Sequence, residues 1–161
     1  MKNFMYHQQL QSSDIEAIAD MVESSGFFSE EEIEIAIELA EEKLEKRDEC
    51  SYQFLFAKDG DLVVGYTCYG LIPATAFSYD LYWIVVHKDW QGRGMGKRLL
   101  TETEQLIRSL GGRQIYAETS SREQYIPTRK FYEKCGYQQE AFLKNFYNES
   151  DGKIIYSKVL K

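Results

Sequence analysis

The six residues Gln91-Gly92-Arg93-Gly94-Met95-Gly96 stand between an apolar run, Leu81 to Val86, and a helical pattern that starts near Gly94. The order of strand, glycine-rich turn and helix constrains this chain more than any other stretch. Glycine lets the backbone turn sharply and lets its N–H groups approach an anion. The first turn of the following helix adds N–H donors without intrahelical partners, and the positive end of its dipole. Arg93, Lys97 and Arg98 bring positive side chains to the same spot in a chain whose net charge is −7. Such a turn suits a ligand with two or more phosphates.

Known glycine loops are tested against these residues one by one. A Walker loop needs Lys and then Ser or Thr after its last glycine, at a longer spacing. Here Gly96 is followed by Lys97 and Arg98, so that reading fails. A dinucleotide fingerprint needs G-x-G-x-x-G near the start of a βαβ unit. Gly92, Gly94 and Gly96 give G-x-G-x-G at mid-chain, with Lys97 where the third glycine belongs. What fits is Gln/Arg-x-x-Gly-x-Gly after a strand. An ordinary glycine turn capping a helix is the plainer alternative.

Around this turn the pattern alternates between strand and helix. Residues 3–8 read as a short edge strand. Ser13-Asp14-Ile15-Glu16 has capping-box spacing, and Ile15, Ile18, Ala19 and Val22 recur at helical intervals up to Gly26. Ser29 and Glu32 form a second box before Ile33, Ala36, Ile37, Ala40 and Leu44. Tyr52 to Ala57, Leu62 to Leu71 and Phe77 to Val86 read as strands, the first two joined at Lys58-Asp59-Gly60-Asp61. The helix after the glycine turn carries Leu99, Leu100, Thr103, Leu106, Ile107 and Leu110 inward and stops at Gly111-Gly112. Gln114 to Thr119 is a strand, so strand, helix and strand make one βαβ unit with a parallel pair. Pro127 opens a helix ending at Gly136. Tyr137 to Tyr147 and Lys153 to Leu160 form a last hairpin, with Asp151-Gly152 in its loop. The order β-α-α-β-β-β-α-β-α-β-β predicts a mixed α/β sheet, antiparallel at both ends and parallel in the middle.

Composition bounds the function. The 161 residues are one domain of ordinary size, long enough for a full core. With 19 Lys+Arg against 26 Asp+Glu, a nucleic-acid partner is not expected. Met1 to Gln11 lacks the apolar stretch of a signal peptide, and no run approaches the ~20 apolar residues that span a bilayer. Cys50, Cys68 and Cys135 match neither a zinc pattern nor a disulfide framework. The expectation is a cytoplasmic protein with no metal and no membrane partner.

The glycine turn resembles the acetyl-CoA loop of the GNAT family of N-acetyltransferases. A second segment, Pro127-Thr128-Arg129-Lys130-Phe131-Tyr132-Glu133-Lys134-Cys135-Gly136-Tyr137, is similar to the family segment ending F-Y-x-x-x-G-F/Y. The element order agrees over nearly the whole chain. The resemblance implies a single GNAT-like domain over 1–161, a central mixed sheet flanked by helices, and acetyl-CoA as co-substrate. It implies that backbone groups of Ile84, Val85 and Val86 bond the pantetheine arm as a strand would. The side chains of those three residues read as core in either case. It also implies that Gln91, Gly92, Arg93, Gly94, Met95, Gly96 and Lys97 hold the pyrophosphate. Tyr132 matches the tyrosine that protonates the departing thiolate; a core tyrosine is the alternative. Glu118 matches a carboxylate that deprotonates the amine through water; an exposed surface pair is the alternative. Asp80 and His87 are weaker candidates for that base. One departure is Tyr125, seven residues before Tyr132, where many relatives carry an asparagine that bonds the pantetheine. The segment between Glu118 and Tyr132 also looks longer than in many relatives.

The implied activity is acetyl transfer to a primary amine by direct attack in a ternary complex. Cys135, beside a helix-ending glycine, is a poor nucleophile site for a covalent route. A small-molecule amine is the expected acceptor, and a homodimer is allowed. Phe27, Phe28, Tyr69, Phe77, Tyr79, Tyr82 and Trp83 are candidates for the acceptor pocket. The eight glutamates between Glu30 and Glu45 either favour a cationic acceptor or form a solvated helix face. A non-catalytic acyl-CoA sensor, a peptide N-acetyltransferase and a nucleotide-binding regulatory module stay as alternatives.

Overall fold

The computed structural model describes residues 3–161. Its elements run β1 (Met5–His7), α1 (Ser12–Ser24), α2 (Glu30–Lys46), β2 (Tyr52–Asp59), β3 (Leu62–Leu71), β4 (Ser78–Val86), α3 (Met95–Ser109), β5 (Gln114–Ser120), α4 (Ile126–Lys134), β6 (Gln138–Asn148) and β7 (Asp151–Val159). The strands make one seven-stranded sheet in the order β1-β2-β3-β4-β5-β7-β6. The pairs β1·β2, β2·β3, β5·β7 and β6·β7 are antiparallel, and β4·β5 is parallel. This is the mixed α/β sheet that the alternation of patterns predicts. Contacts divide the chain into two units. One takes in the chain up to Gly70 and Trp83–Thr103, the other Leu71–Tyr82 and Glu104–Lys161.

The first unit buries Ile18, Met21 and Val22 of α1 and Ala36 and Ala40 of α2 in one cluster with Phe54, Phe56, Tyr66 and Cys68 of the sheet. Each helix offers one apolar stripe to that cluster, and on α2 the buried positions of the stripe are Ala36 and Ala40. Phe56 stacks on His7 at 4.8 Å and on Phe54 at 5.9 Å. Along α2, Glu31, Glu34, Glu38, Glu41 and Glu45 are exposed, so those carboxylates form a solvated face. The Ser29 box closes as predicted: Ser29 N–H donates to Glu32 Oε2 at 2.8 Å, and Glu32 N–H to Ser29 Oγ at 3.2 Å.

The α1 box sits two residues earlier than the sequence suggests. Gln11 is the N-cap, and its N–H donates to Asp14 Oδ2 at 2.8 Å. Asp14 is buried with His7 Nε2 3.2 Å from the same oxygen. That pairing draws the helix start back from Ser13.

In the second unit, β5 is flanked by β4 and β7, and β6 closes the sheet. Ile115, Ala117, Ile154 and Tyr156 are buried, and Tyr156 stacks on Tyr132 of α4 at 5.9 Å. By alternation, Tyr116 and Glu118 point to the opposite face. Leu110 lies beyond the end of α3 and is 59% exposed, so it does not continue the inward stripe. Asp151 and Gly152 belong to β7, and the hairpin turn is Glu149-Ser150, with Ser150 at φ 62°. Ser120 Oγ and Arg122 engage the Asp151 carboxylate, and Ser121 N–H donates to Gly152 O at 2.9 Å. These bonds hold both residues in the strand rather than in the loop.

Candidate active site

In the first unit, β4 is followed by a 3-10 turn over Lys88–Trp90 and then by the glycine segment that leads into α3. Gly92 and Gly94 take φ of 74° and 79°. Only glycine enters this left-handed region without a side-chain penalty. Open space lies where a Cβ would stand at either position, with nothing within 4 Å. The first helical bond runs from Arg98 N–H to Gly94 O at 3.1 Å. The N–H groups of Met95, Gly96 and Lys97 are therefore the orphan donors of the helix start. Met95 itself is 2% exposed and anchors that end in the core.

The three cations differ in what they do. Arg93 and Lys97 are exposed, and the Arg93 guanidinium lies 5.5 Å from the Trp90 ring centre. Arg98 is turned onto Phe4, 4.8 Å from its ring centre, and bonds Tyr6. Gln91 Nε2 donates to Val86 O at 3.0 Å, a contact the sequence did not suggest. His87 is a capping residue: its Nδ1 accepts from Asp89 N–H at 3.2 Å, and its own N–H donates to Val64 O at 2.8 Å. Val85 is buried and Ile84 and Val86 are half-buried. The β4·β5 register runs from Ser78↔Gln114 to Leu81↔Ala117, and Ile84 follows three residues later.

In the second unit, Tyr132 lies on α4 and is 5% exposed. Its ring is held by Phe131 and Tyr137 at 5.5 Å each and by Tyr156 at 5.9 Å. Burial, and to a lesser degree the Cys135 thiol, pushes its phenol well above the ordinary value. The end of α4 is fixed by Lys158, whose Nζ donates to Cys135 O at 2.9 Å and to both Glu104 oxygens at 2.8 and 3.0 Å. Its start is fixed by Arg129, which donates to Ser120 O at 2.8 Å and Arg122 O at 3.0 Å. Tyr125 is buried under the Arg122 guanidinium.

Glu118 is exposed on β5, and its Oε2 is 2.8 Å from Lys153 Nζ. In the β5·β7 register Lys153 pairs with Ser120, which makes it the diagonal neighbour of Glu118 on the same face. Asp80 pairs with Tyr116 across β4·β5 and is half-buried. Burial pushes its carboxyl above the usual carboxylate range. The Glu118 charge adds to that, and Lys153 partly offsets it. Glu118 and Asp80 thus belong to one electrostatic group in this unit, which the sequence could not join. Of the aromatic pocket candidates, Tyr69 and Tyr79 are core, Phe27, Phe28 and Trp83 are half-buried, and Tyr82 and Phe77 are 43% and 39% exposed.

Residues 50–139 match the family model described as acetyltransferase (GNAT) domain. No curated protein matches the chain. Among solved structures, a GNAT-family protein from Desulfovibrio desulfuricans is 43% identical, covers 99% of this chain and 100% of its own, and superposes with a TM-score of 0.94. An aminoglycoside 6'-N-acetyltransferase from Enterococcus faecium is 21% identical over 99% of this chain and 98% of its own, with a TM-score of 0.77. The PaiA N-acetyltransferase from Thermoplasma acidophilum, in complex with coenzyme A, is 21% identical over 96% and 99%, with a TM-score of 0.70.

Proposed function

We propose that this chain, which belongs to the GNAT family of acetyltransferases, transfers an acetyl group from acetyl-CoA to a primary amine of a small molecule. The observation that carries the reading is the β4–α3 turn. Two glycines in the left-handed region, with no atom within 4 Å of where a Cβ would stand, leave backbone donors open to a pyrophosphate. Coenzyme A bound to a neighbour of the same fold supports the choice of ligand. We read residues 1–161 as one acetyltransferase domain, because the likeness spans 99% of the chain. The three free thiols fit a reducing, cytoplasmic setting.

In this reading the backbone of Gly92, Arg93, Gly94, Met95, Gly96 and Lys97 receives the pyrophosphate, with Arg93 and Lys97 as flanking charges. Gln91 fixes the end of β4 through Val86 O, so that Ile84, Val85 and Val86 offer their backbone to the pantetheine arm. The amine nitrogen bonds the acetyl carbon, and the carbon–sulfur bond breaks. Tyr132 gives the sulfur its proton, and burial keeps that phenol protonated at working pH. With a phenol at about 10 and a thiol at about 8.5, the transfer is uphill by at least about 2 kcal/mol. The proton therefore moves as the bond breaks, not before.

The amine's own proton goes to a carboxylate. Glu118 is the family position, and it is ion-paired with Lys153. We assign the accepting role to Asp80, with Glu118 raising its proton affinity. Asp80 lies half-buried on β4 opposite Tyr116, the residue two before Glu118 on β5, and burial raises its carboxyl, which makes it the better proton acceptor. For the acceptor, exposed Tyr82, two residues along β4 from Asp80, suits a small cation. A neighbour's aminoglycoside acetylation is of the same kind. A competition assay between small polyamines or amino sugars and lysine-rich peptides, at one acetyl-CoA concentration, tests the acceptor. A higher kcat/KM for the small amines is expected. A higher value for the peptides would transfer the assignment to protein acetylation.

A further inference from the structure

We propose that Lys153 sets which amines this chain accepts: its ammonium fills a cation cage made by the Glu118 carboxylate and the Phe146 ring, where the second ammonium of a diamine would otherwise rest; this rests on the acetyl-transfer reading and deepens it. A lysine keeps its charged end in water unless something holds it. Lys153 is held. Its side chain is 13% exposed, against 46% for its partner Glu118. Nζ stands 2.8 Å from Glu118 Oε2 and 4.0 Å from the centre of the Phe146 ring. A carboxylate on one side and an aromatic face on the other is an arrangement that recognises alkylammonium ligands. Here the ligand is part of the chain.

An irregularity in the last hairpin builds this cage. Leu143 stands opposite Lys153, and the pairing resumes at Asn148 with Asp151. Lys144, Asn145, Phe146 and Tyr147 therefore bulge out opposite Gly152 alone. An unbroken ladder would set Phe146 opposite Ser150, three residues from Lys153. The bulge brings the ring to the ammonium instead. Asn145 takes φ of 55°, and its Oδ1 accepts from Ser150 N–H at 2.9 Å. Asparagine enters this left-handed region more readily than most residues. Tyr147 meets the Phe146 ring edge to face at 5.0 Å and steadies it over Lys153.

The neighbouring acid gives the cage its consequence. Asp80 pairs with Tyr116, two residues before Glu118. Two residues along one strand and one strand across separate Asp80 from Glu118 by roughly 8 Å. A short diamine spans that distance, with its reacting nitrogen at Asp80 and its far ammonium at Glu118. Lys153 already pairs with that carboxylate, and its charge repels a second cation there. A monoamine with a neutral tail meets no such conflict. Selectivity therefore runs against the diamine, and Lys153 is the side chain that sets it.

The test compares butylamine with the matching α,ω-diamine in wild type, Lys153→Met, Lys153→Gln and Lys153→Arg. Steady-state kcat/KM is measured for both amines at one pH, so that the effect of Lys153 on Asp80 cancels in their ratio. Calorimetric titration of both amines into the full chain loaded with coenzyme A gives a second ratio that needs no turnover. The two neutral variants should shift both ratios toward the diamine by roughly tenfold or more. Lys153→Arg should leave them near the wild-type value. Phe146→Leu added to Lys153→Met should cut the gain, because one wall of the cage is lost. Diamine binding gained without turnover of either amine would keep the cage and remove the acetyl-transfer reading. Ratios unmoved in the folded neutral variants overturn the proposal, whether or not butylamine is acetylated, as does the absence of diamine binding in them. An equal gain from Lys153→Arg, or a gain that Phe146→Leu leaves intact, overturns it too.

Discussion

In the proposed acetyl transfer Tyr132 carries two demands, and burial bears on both. Its ring closes the aromatic cluster with Tyr137 and Tyr156, and its raised phenol pKa holds the proton on the oxygen until the sulfur takes it. Tyr132→Phe keeps the ring and removes the proton. The expected result is a kcat lower by roughly 10²-fold with coenzyme A affinity little changed, checked by steady-state kinetics and calorimetry. A kcat within threefold of wild type would leave Tyr132 a packing residue. Asp80 gives a second prediction at this scale. As the proposed base it must be ionised, so kcat/KM falls as pH drops through its pKa. Glu118→Gln removes a charge that raises that pKa, so the acid limb of the profile moves to lower pH. Lys153→Met removes a charge that lowers it, so the limb moves up. Asp80→Asn abolishes the limb along with most of the activity. A limb that stays in place in both charge variants would take the base role from Asp80.

At the scale of elements, the β4–α3 turn and the α4 helix are the parts to perturb. Gly94→Asp forces a side chain into the left-handed region, at about 1 kcal/mol, and puts a negative charge beside the helix start. Gly94→Asn has the same shape and strain without the charge. Calorimetry should show coenzyme A affinity falling at least tenfold, about 1.4 kcal/mol, for Asp, and clearly less for Asn. Equal losses would mean that strain alone is being measured. Lys158→Met strands the nearly buried Glu104 carboxylate and frees the last turn of α4. A loss of about 2–3 kcal/mol in a denaturant melt is expected, somewhat below a fully buried pair because Lys158 is partly exposed. Elements were the most legible level in the sequence. The Ser29–Glu32 box, the Leu62–Leu71 strand and the glycine turn are local signals, and local hydrogen bonding forms them. The α1 cap was misplaced because Asp14 is drawn to His7, seven residues away. The Asp151-Gly152 turn was misplaced because Ser120, thirty-one residues away, holds Asp151 in β7. The Glu118–Lys153–Asp80 group was hidden for the same reason. It exists only once three strands are in register, and no spacing along the chain encodes that register.

At the scale of the whole molecule, the family relation and the sheet order constrain the chemistry more than composition does. The net charge of −7 disfavours polyanions and mildly favours cationic acceptors. No helix among the described residues is long and apolar enough to cross a membrane. Neither fact distinguishes an enzyme from a sensor of acyl-CoA built on the same fold. Turnover does. The most direct measurement is the rate of free thiol release from acetyl-CoA by the full chain, with and without each member of a panel of primary amines. The account predicts saturable, amine-dependent release with one acetylated amine formed per thiol. It also predicts a loss of that release in Tyr132→Phe. Tight coenzyme A binding with no amine raising thiol release above the amine-free rate would contradict it.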